Sequence, residues 1–160
     1  MNQLTMVDQL TSTDLCEALR QRHPATRGEW LFFEELRGGT GFGSSNEQRI
    51  DAFALSCWGR HQERIAYEIK VSRSDWLREL KKPRKRAMAR RYSTQFYFVA
   101  PKGLIKVEEL PPDAGLVEVW RHSSGDMCQR TAVKAPEVDG YPPTWRFVAS
   151  LIRAQRRERT

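Results

Sequence analysis

Apolar and polar residues recur along the chain at spacings that predict a helix, three strands, a second helix and a fourth strand. Leu15, Ala18 and Leu19 lie at helical spacing, so we expect a helix that is capped by Ser12 or Thr13 and runs to about residue 22. Four short runs are rich in apolar, aromatic and β-branched residues, as strands are. The predicted strands are residues 30–36, 50–56, 64–71 and 95–100.

The second predicted helix follows the third strand. Ser72 or Ser74 is its expected cap, and Trp76, Leu77 and Leu80 form its expected apolar face. The proline at position 83 interrupts this helix and is suited to begin another helical segment, which reaches about residue 92. The order of elements predicts an α/β fold with one sheet flanked by helices.

The rest of the chain is less regular. Residues 1–10 are expected to form a loose lead-in, and residues 38–48, rich in Gly and Ser, predict a loop. Residues 116–120 predict a further strand, and Thr144 is expected to cap a last helix. The expected apolar face of that helix is Trp145, Val148, Leu151 and Ile152. We see no linker, so residues 1–160 are predicted to form one domain, with a core at about 12–120 and a C-terminal strand and basic helix at 116–160.

Charge and composition narrow the classes of function. The net charge of +7 and the isoelectric point near 9.7 favour a polyanionic partner, nucleic acid first. No signal peptide is visible and no apolar run approaches the roughly 20 residues of a spanning helix, so we expect a cytoplasmic protein without a membrane partner. The three cysteines lie far apart and form no CxxC, which is typical of reduced thiols.

The third predicted strand carries charge on one of its faces. Alternation places its β-branched and aromatic residues on one side and Glu68 and Lys70 side by side on the other. Asp51 is the single acid in the preceding strand, IDAFALS, and an antiparallel hairpin would bring it beside Glu68. Two adjacent carboxylates repel each other, and a divalent cation such as Mg²⁺ removes that repulsion. The alternative is a solvated strand face, with Asp51 paired to an arginine.

Longer motifs surround these three residues. RIDAFAL, a short turn and YEIKVSRSDWLRELKKPRK resemble the Asp…Glu-x-Lys core of the PD-(D/E)XK nuclease superfamily. The chain is similar, more narrowly, to a group of phage and bacterial proteins that includes MmcB-type DNA-repair proteins. The similarity covers roughly residues 12–120 and is carried by residues 68–76, 96–101 and 110–119.

The resemblance implies a restriction-endonuclease-like α-β-β-β-α-β core with a mixed sheet. It also implies Mg²⁺ or Mn²⁺ at Asp51 and Glu68, with the backbone carbonyl of Ile69 as a further ligand and Lys70 as the catalytic lysine. Ile50 stands where the family has proline. The family's further acid lies on the first helix, which suggests Glu17, while Glu34 and Glu35 on the first strand remain rivals.

A basic stretch follows the proposed catalytic lysine. Ten basic and two acidic residues lie between Lys70 and Arg91, and a basic surface beside a metal site suits a phosphodiester substrate. The predicted nucleic-acid contacts are Arg73, Lys81, Lys82, Arg84 and Lys85. Such contacts position a nucleic acid without reading its sequence.

Three functions fit these observations. The first is a Mg²⁺- or Mn²⁺-dependent deoxyribonuclease of DNA repair, recombination or phage DNA processing, with DNA as the partner and RNA as the alternative. The second is a nuclease-fold DNA-binding module, or a partner-dependent subunit, that does not catalyse. The third is an interaction domain whose basic face meets an acidic protein.

Overall fold

A six-stranded sheet, in which each strand lies beside its neighbours in sequence, organises the residues that the structure describes. This computed structural model describes residues 9–37, 48–60 and 62–159. The lead-in predicted at 1–10 and the loop predicted at 38–48 fall almost wholly outside them. The strands are β1 (Trp30–Arg37), β2 (Arg49–Ser56), β3 (Arg64–Ile69), β4 (Gln95–Pro101), β5 (Gly115–Arg121) and β6 (Met127–Val133). The helices are α1 (Ser12–Arg22), α2 (Arg73–Lys81), α3 (Ala87–Tyr92) and α4 (Trp145–Glu158), with short 3-10 helices at Pro83–Arg86 and Val107–Glu109.

The sheet is mixed. β1, β2 and β3 form an antiparallel meander, β3, β4 and β5 are parallel, and β6 returns antiparallel to β5. A parallel pair needs a crossover, and α2, the 3-10 helix Pro83–Arg86 and α3 form the crossover from β3 to β4. The predicted hairpin and the predicted order of helix, three strands, helix and strand are confirmed. β6 was not predicted.

Side-chain caps set the starts of three helices. Thr11 caps α1 and forms a capping box with Asp14, so the predicted cap at Ser12 or Thr13 is one or two residues late. Ser72 caps α2 and Thr144 caps α4, each accepting a hydrogen bond from the backbone N–H three residues on. A hydroxyl in this position satisfies an N–H that the helix itself leaves unpaired.

Both faces of the sheet are covered. α1 packs Leu15 and Leu19 onto the face that carries Tyr67. The opposite face, which carries Ala66 in β3, is covered by residues of α2, α3 and α4, among them Trp76 and Phe147. The Glu68 and Lys70 side chains therefore belong to a second packed face, and the alternative of a solvated strand is wrong.

The predicted apolar face of α2 is partly wrong. Trp76 is fully buried and Leu80 packs against the core, but Leu77 is 43% exposed. Glu79 is buried in its place. Residues three apart on a helix share a face, so Glu79 follows Trp76 into the interior while Leu77 turns outward.

The predicted apolar face of α4 is also partly wrong. Phe147, Ser150 and Ala154 are its buried residues, whereas Trp145 is 87% exposed and Ile152 is 55% exposed. The buried residues follow the helical spacing of three and four, and the helix turns this narrow stripe toward the sheet.

Within the described ranges, no helix combines the length and apolar character that crossing a membrane requires.

Candidate active site

A cleft of about 520 Å³ lies where β2 begins and β3 ends. Residues of α1, β1, β2, β3, α2 and the 3-10 helix Pro83–Arg86 line it. Asp51, Glu68 and Lys70, the three residues predicted to form the site, all lie in this lining, together with Ile69. The structure thus brings the predicted set together in one cavity.

Strand register places the two carboxylates opposite each other. Ala52 and Tyr67 form the last pair of the β2–β3 ladder at this end, and continuing its register by one residue brings Asp51 opposite Glu68. Residues directly opposite in an antiparallel pair project from the same face, with Cβ atoms about 5 Å apart. Burial, and then the negative charge of Asp51, raise the pKa of Glu68 to about 7.

Asp51 is held at the end of β3. The backbone N–H of Ile69 donates to Asp51 Oδ2 at 2.9 Å, and Arg49 Nε lies 3.8 Å from Asp51 Oδ1. Burial raises the pKa of Asp51, and the hydrogen bond from Ile69 opposes that shift. The pairing of Asp51 with an arginine, part of the solvated-strand alternative, is therefore present only as a long contact beside the cleft.

Lys70 lies between two carboxylates. Its Nζ is 3.1 Å from Glu68 Oε1 and 3.0 Å from Glu79 Oε2. Burial acts to lower the pKa of Lys70, but the charges of Glu68 and Glu79 outweigh it and raise that pKa above its ordinary value. Lys70 therefore stays an ammonium ion, which donates hydrogen bonds and does not act as a base.

Glu79 continues the charge network into the interior. Its Oε1 lies 3.1 Å from Arg86 Nη1, and the side chains of Glu79 and Arg86 are 4% and 8% exposed. Sequence reasoning missed Glu79, because an acid in a basic helix is normally on the solvent side. Its position three residues after Trp76 places it on the same face of the helix, but the sequence alone does not show that this face is the buried one.

The candidates for a further acid have different surroundings. Glu17 is exposed on α1 and does not line the cleft; the neighbouring Cys16 does. Glu34 and Glu35 both line the cleft. Glu34 accepts hydrogen bonds from Cys16 Sγ at 2.7 Å and Arg20 Nε at 3.2 Å, and these lower its pKa although burial opposes them.

The fit of this cleft to a metal ion is partial. No group of three or more His, Cys, Asp or Glu side chains among the described residues is arranged to hold one. Asp51 and Glu68 supply two oxygen-ligand side chains, and Mg²⁺ is commonly bound by one or two carboxylates while it keeps several waters. The donor chemistry therefore suits Mg²⁺ or Mn²⁺ that keeps several water ligands better than a metal ion whose ligands all come from the protein.

The basic stretch separates into cleft residues and structural pairs. Arg78, Lys82 and Lys85 line the cleft, whereas Lys81 and Arg84 are exposed outside its lining. Arg73, also predicted to contact nucleic acid, lies outside the cleft lining and donates to Glu109 and to the Leu104 carbonyl. That ion pair lowers the pKa of Glu109 to about 2. Arg86 is likewise paired with Glu79 and Arg90 with Asp113, and the cleft residue Arg78 makes a longer contact with Asp75.

Comparison of the chain with protein-family models, with curated proteins and with solved structures finds no match in any of the three. The resemblance to the PD-(D/E)XK nucleases therefore stays a prediction. The same applies to the restriction-endonuclease-like topology and to the residue roles that the resemblance implies. The geometry of the cleft carries the functional proposal.

Proposed function

We propose that this chain is a Mg²⁺- or Mn²⁺-dependent deoxyribonuclease, which hydrolyses phosphodiester bonds in DNA repair, recombination or phage DNA processing. The observation that supports it most directly is the placement of Asp51 and Glu68 opposite each other in a cleft that also contains the Lys70 ammonium. Holding three charges in a largely buried place is costly. A site that binds a cation and a phosphate gives that arrangement a use.

Each residue has a role that its surroundings support. Asp51 and Glu68 would hold the cation, with the Ile69 carbonyl as a further ligand. When bound, the cation would supply positive charge at the phosphate and lower the pKa of a coordinated water. Lys70 would donate to the phosphate oxygen on which negative charge grows, since its raised pKa keeps it protonated.

One wall of the cleft is suited to the nucleic-acid backbone. Arg78, Lys82 and Lys85 come from α2 and the segment after it and line the cleft beside the carboxylates. Lysine and arginine contacts with phosphates give affinity that depends on salt and is independent of sequence. We therefore propose that the enzyme selects DNA by its structure more than by its sequence.

A cleavage panel tests the proposal. Labelled linear, nicked, branched and single-stranded DNA, with single-stranded RNA alongside, are incubated with Mg²⁺ or Mn²⁺. The wild type should cleave at least one DNA substrate, and Asp51→Asn and Lys70→Ala should remove that cleavage. Glu118→Gln is the matched control, because Glu118 is a buried, ion-paired carboxylate outside the cleft lining. Failure of the wild type on every substrate with both metals would reject the proposal.

A second candidate is a nuclease-fold DNA-binding module, or a subunit that needs a partner, without catalysis of its own. It is favoured by the lack of a three-ligand group among the described residues and by the pairing of Lys70 with Glu68. Calorimetric titration with Mn²⁺ distinguishes the two functions. Absence of metal binding, together with DNA binding that weakens steeply with salt, would favour the second.

A further inference from the structure

Glu79 has no role in the site as proposed, although it is the most buried of the charged side chains around the cleft. Its side chain is 4% exposed, compared with 18% for Glu68 and 20% for Asp51. A carboxylate removed from water costs stability unless it is paired and hydrogen-bonded. The role of Glu79 is therefore inferred from its contacts with its two partners, Lys70 and Arg86.

The four side chains form a line of alternating charge from the cleft to the core. Glu68 faces Lys70, Lys70 faces Glu79, and Glu79 faces Arg86, with closest distances of 3.1, 3.0 and 3.1 Å. Arg86 also approaches the Glu79 backbone carbonyl at 3.3 Å and lies over the ring of Phe98. Glu79 is thus fixed from behind, on the side away from the cleft.

The Lys70 ammonium is shared almost equally between a cleft carboxylate and an interior one. We propose that Glu79 is a positioning residue, which draws Lys70 away from Glu68 and leaves Glu68 able to bind a divalent cation. The inference rests on the proposed function for the cation's presence in the cleft. Without the charge of Glu79, Lys70 would pair fully with Glu68, and an ammonium in direct contact competes with a cation for the same oxygens.

A purely structural role for Glu79, as counter-ion of the buried Arg86, makes a different prediction. In that case loss of the carboxylate would lower the stability of the fold and leave the cation affinity of the cleft unchanged. Metal affinity in the presence and absence of the Lys70 charge therefore separates the two roles.

The experiment is a double-mutant cycle read by calorimetric titration of Mn²⁺ into the full chain. Glu79→Gln keeps the shape of the side chain and should weaken Mn²⁺ binding by at least about tenfold, equivalent to roughly 1.4 kcal/mol. Lys70→Met should bind Mn²⁺ at least as tightly as the wild type. Adding Glu79→Gln to Lys70→Met should cause no further loss, because the competing ammonium is gone.

Several results would overturn the inference. These are unchanged Mn²⁺ affinity in Glu79→Gln, an equal loss in the presence and absence of Lys70, and a wild type that binds no Mn²⁺. Glu118→Gln serves as the control for loss of a buried carboxylate elsewhere and should bind Mn²⁺ like the wild type. Circular dichroism checks folding, and Glu79→Asp, which keeps the charge on a shorter side chain, takes the place of Glu79→Gln if the latter does not fold. Because its shorter side chain holds the charge farther from Lys70, Glu79→Asp should then weaken Mn²⁺ binding to a smaller extent with Lys70 present and have no effect without it.

Failure of the inference and failure of the nuclease proposal have different signatures. A wild type that binds Mn²⁺ and cleaves no substrate rejects the nuclease proposal, while the cycle still tests Glu79. An active wild type whose Glu79→Gln variant keeps full Mn²⁺ affinity rejects the role of Glu79 and leaves the nuclease proposal standing.

Discussion

The two sides of β3 bury polar groups in opposite ways. On the α1 side, His23 Nε2 and the Tyr67 hydroxyl form a 2.6 Å hydrogen bond among the rings of Trp30 and Phe32. Burial lowers the pKa of His23 to about 4 and raises the pKa of Tyr67, so both groups are neutral at pH 7. On the other side, Lys70, Glu79 and Arg86 are paired as ions, and Glu68, whose pKa burial raises to about 7, contacts Lys70.

The difference follows the cleft, because Glu68, Lys70 and Glu79 line it and His23 and Tyr67 do not. Neutral groups satisfy a buried polar position at less cost than ions do, and the α1 side uses them. The charged side opens into the cleft, where, under the proposed function, the ions would meet the substrate. We therefore expect changes on the charged side to affect chemistry and changes on the neutral side to affect only the fold.

The largest expected effect is on cleavage, and it would be seen on one side of β3 only. Lys70→Ala should reduce the cleavage rate by at least about 100-fold, because it removes a donor aimed at developing charge. Tyr67→Phe, which alters the neighbour of Glu68 on the opposite side of the strand, should cleave near the wild-type rate. Equal losses in both variants, measured as single-turnover rates on the preferred DNA substrate, would remove the functional distinction between the two sides.

The next effect is on stability and compares buried with exposed pairing. Arg86→Met leaves Glu79 without its inner partner and should lower the free energy of unfolding by about 3 kcal/mol, as expected for breaking a buried pair. Arg73→Met removes the more exposed pair with Glu109 and should cost less than about 1 kcal/mol. Urea denaturation measures both. A loss for Arg86→Met no greater than that for Arg73→Met would show that the interior pair does not depend on its burial.

The neutral side should show its own pH dependence. The folded-state pKa of His23, about 4, lies below the value of 6.5 for an unperturbed histidine. The unfolded chain therefore binds a proton that the folded chain does not, and stability should fall as the pH drops from 6.5 toward 4. At about 1.4 kcal/mol per pKa unit, the loss attributable to His23 approaches about 3 kcal/mol.

His23→Gln isolates that contribution. The variant keeps a hydrogen-bonding side chain that does not titrate, so its stability should fall less than that of the wild type between pH 6.5 and pH 4.5. Denaturant titrations across this range provide the measurement. Parallel curves for the two proteins would show that His23 is protonated in the fold and that this side is not neutral.

The smallest expected effect is on DNA binding at the basic wall of the cleft. Lys82→Gln and Lys85→Gln should each weaken binding several-fold and reduce the slope of log affinity against log salt by about 1, since each loses one phosphate contact. Lys134→Gln is the control, because Lys134 is exposed and lies outside the cleft lining. Salt slopes that are lower for Lys82→Gln and Lys85→Gln than for Lys134→Gln would support DNA binding in the cleft. Identical slopes for all three variants would argue against it.

Most of the fold was predictable because its signals are local. The hydroxyls of Ser72 and Thr144 at the cap positions predict the helices that follow them, and the apolar runs of β2, β3 and β4 predict strands. β6, MCQRTAV, is an edge strand of the described sheet with no fully buried position and with Arg130 and Thr131 exposed, so its formation depends on pairing with β5.

The candidate site was predictable in its strand residues and not in its helix residue. Asp51, Glu68 and Lys70 follow from alternation and from the hairpin, which are properties of neighbouring segments. Glu79 depends on which face α2 turns toward the sheet, and that is decided by the packing of Trp76 against Phe98. The spacing of residues within α2 does not predict that Arg86, a buried arginine of the next segment, will contact the Glu79 carboxylate.

The β2–β3 register has a consequence for the fidelity of folding. The ladder that places Asp51 opposite Glu68 also pairs Phe53 with Ala66, and both of these belong to the core covered by α2, α3 and α4. A slip of one residue would turn every β2 side chain to the other face. The misaligned chain would lose its core together with its carboxylate pair. A chain that has folded stably therefore also has the strand register that its site requires.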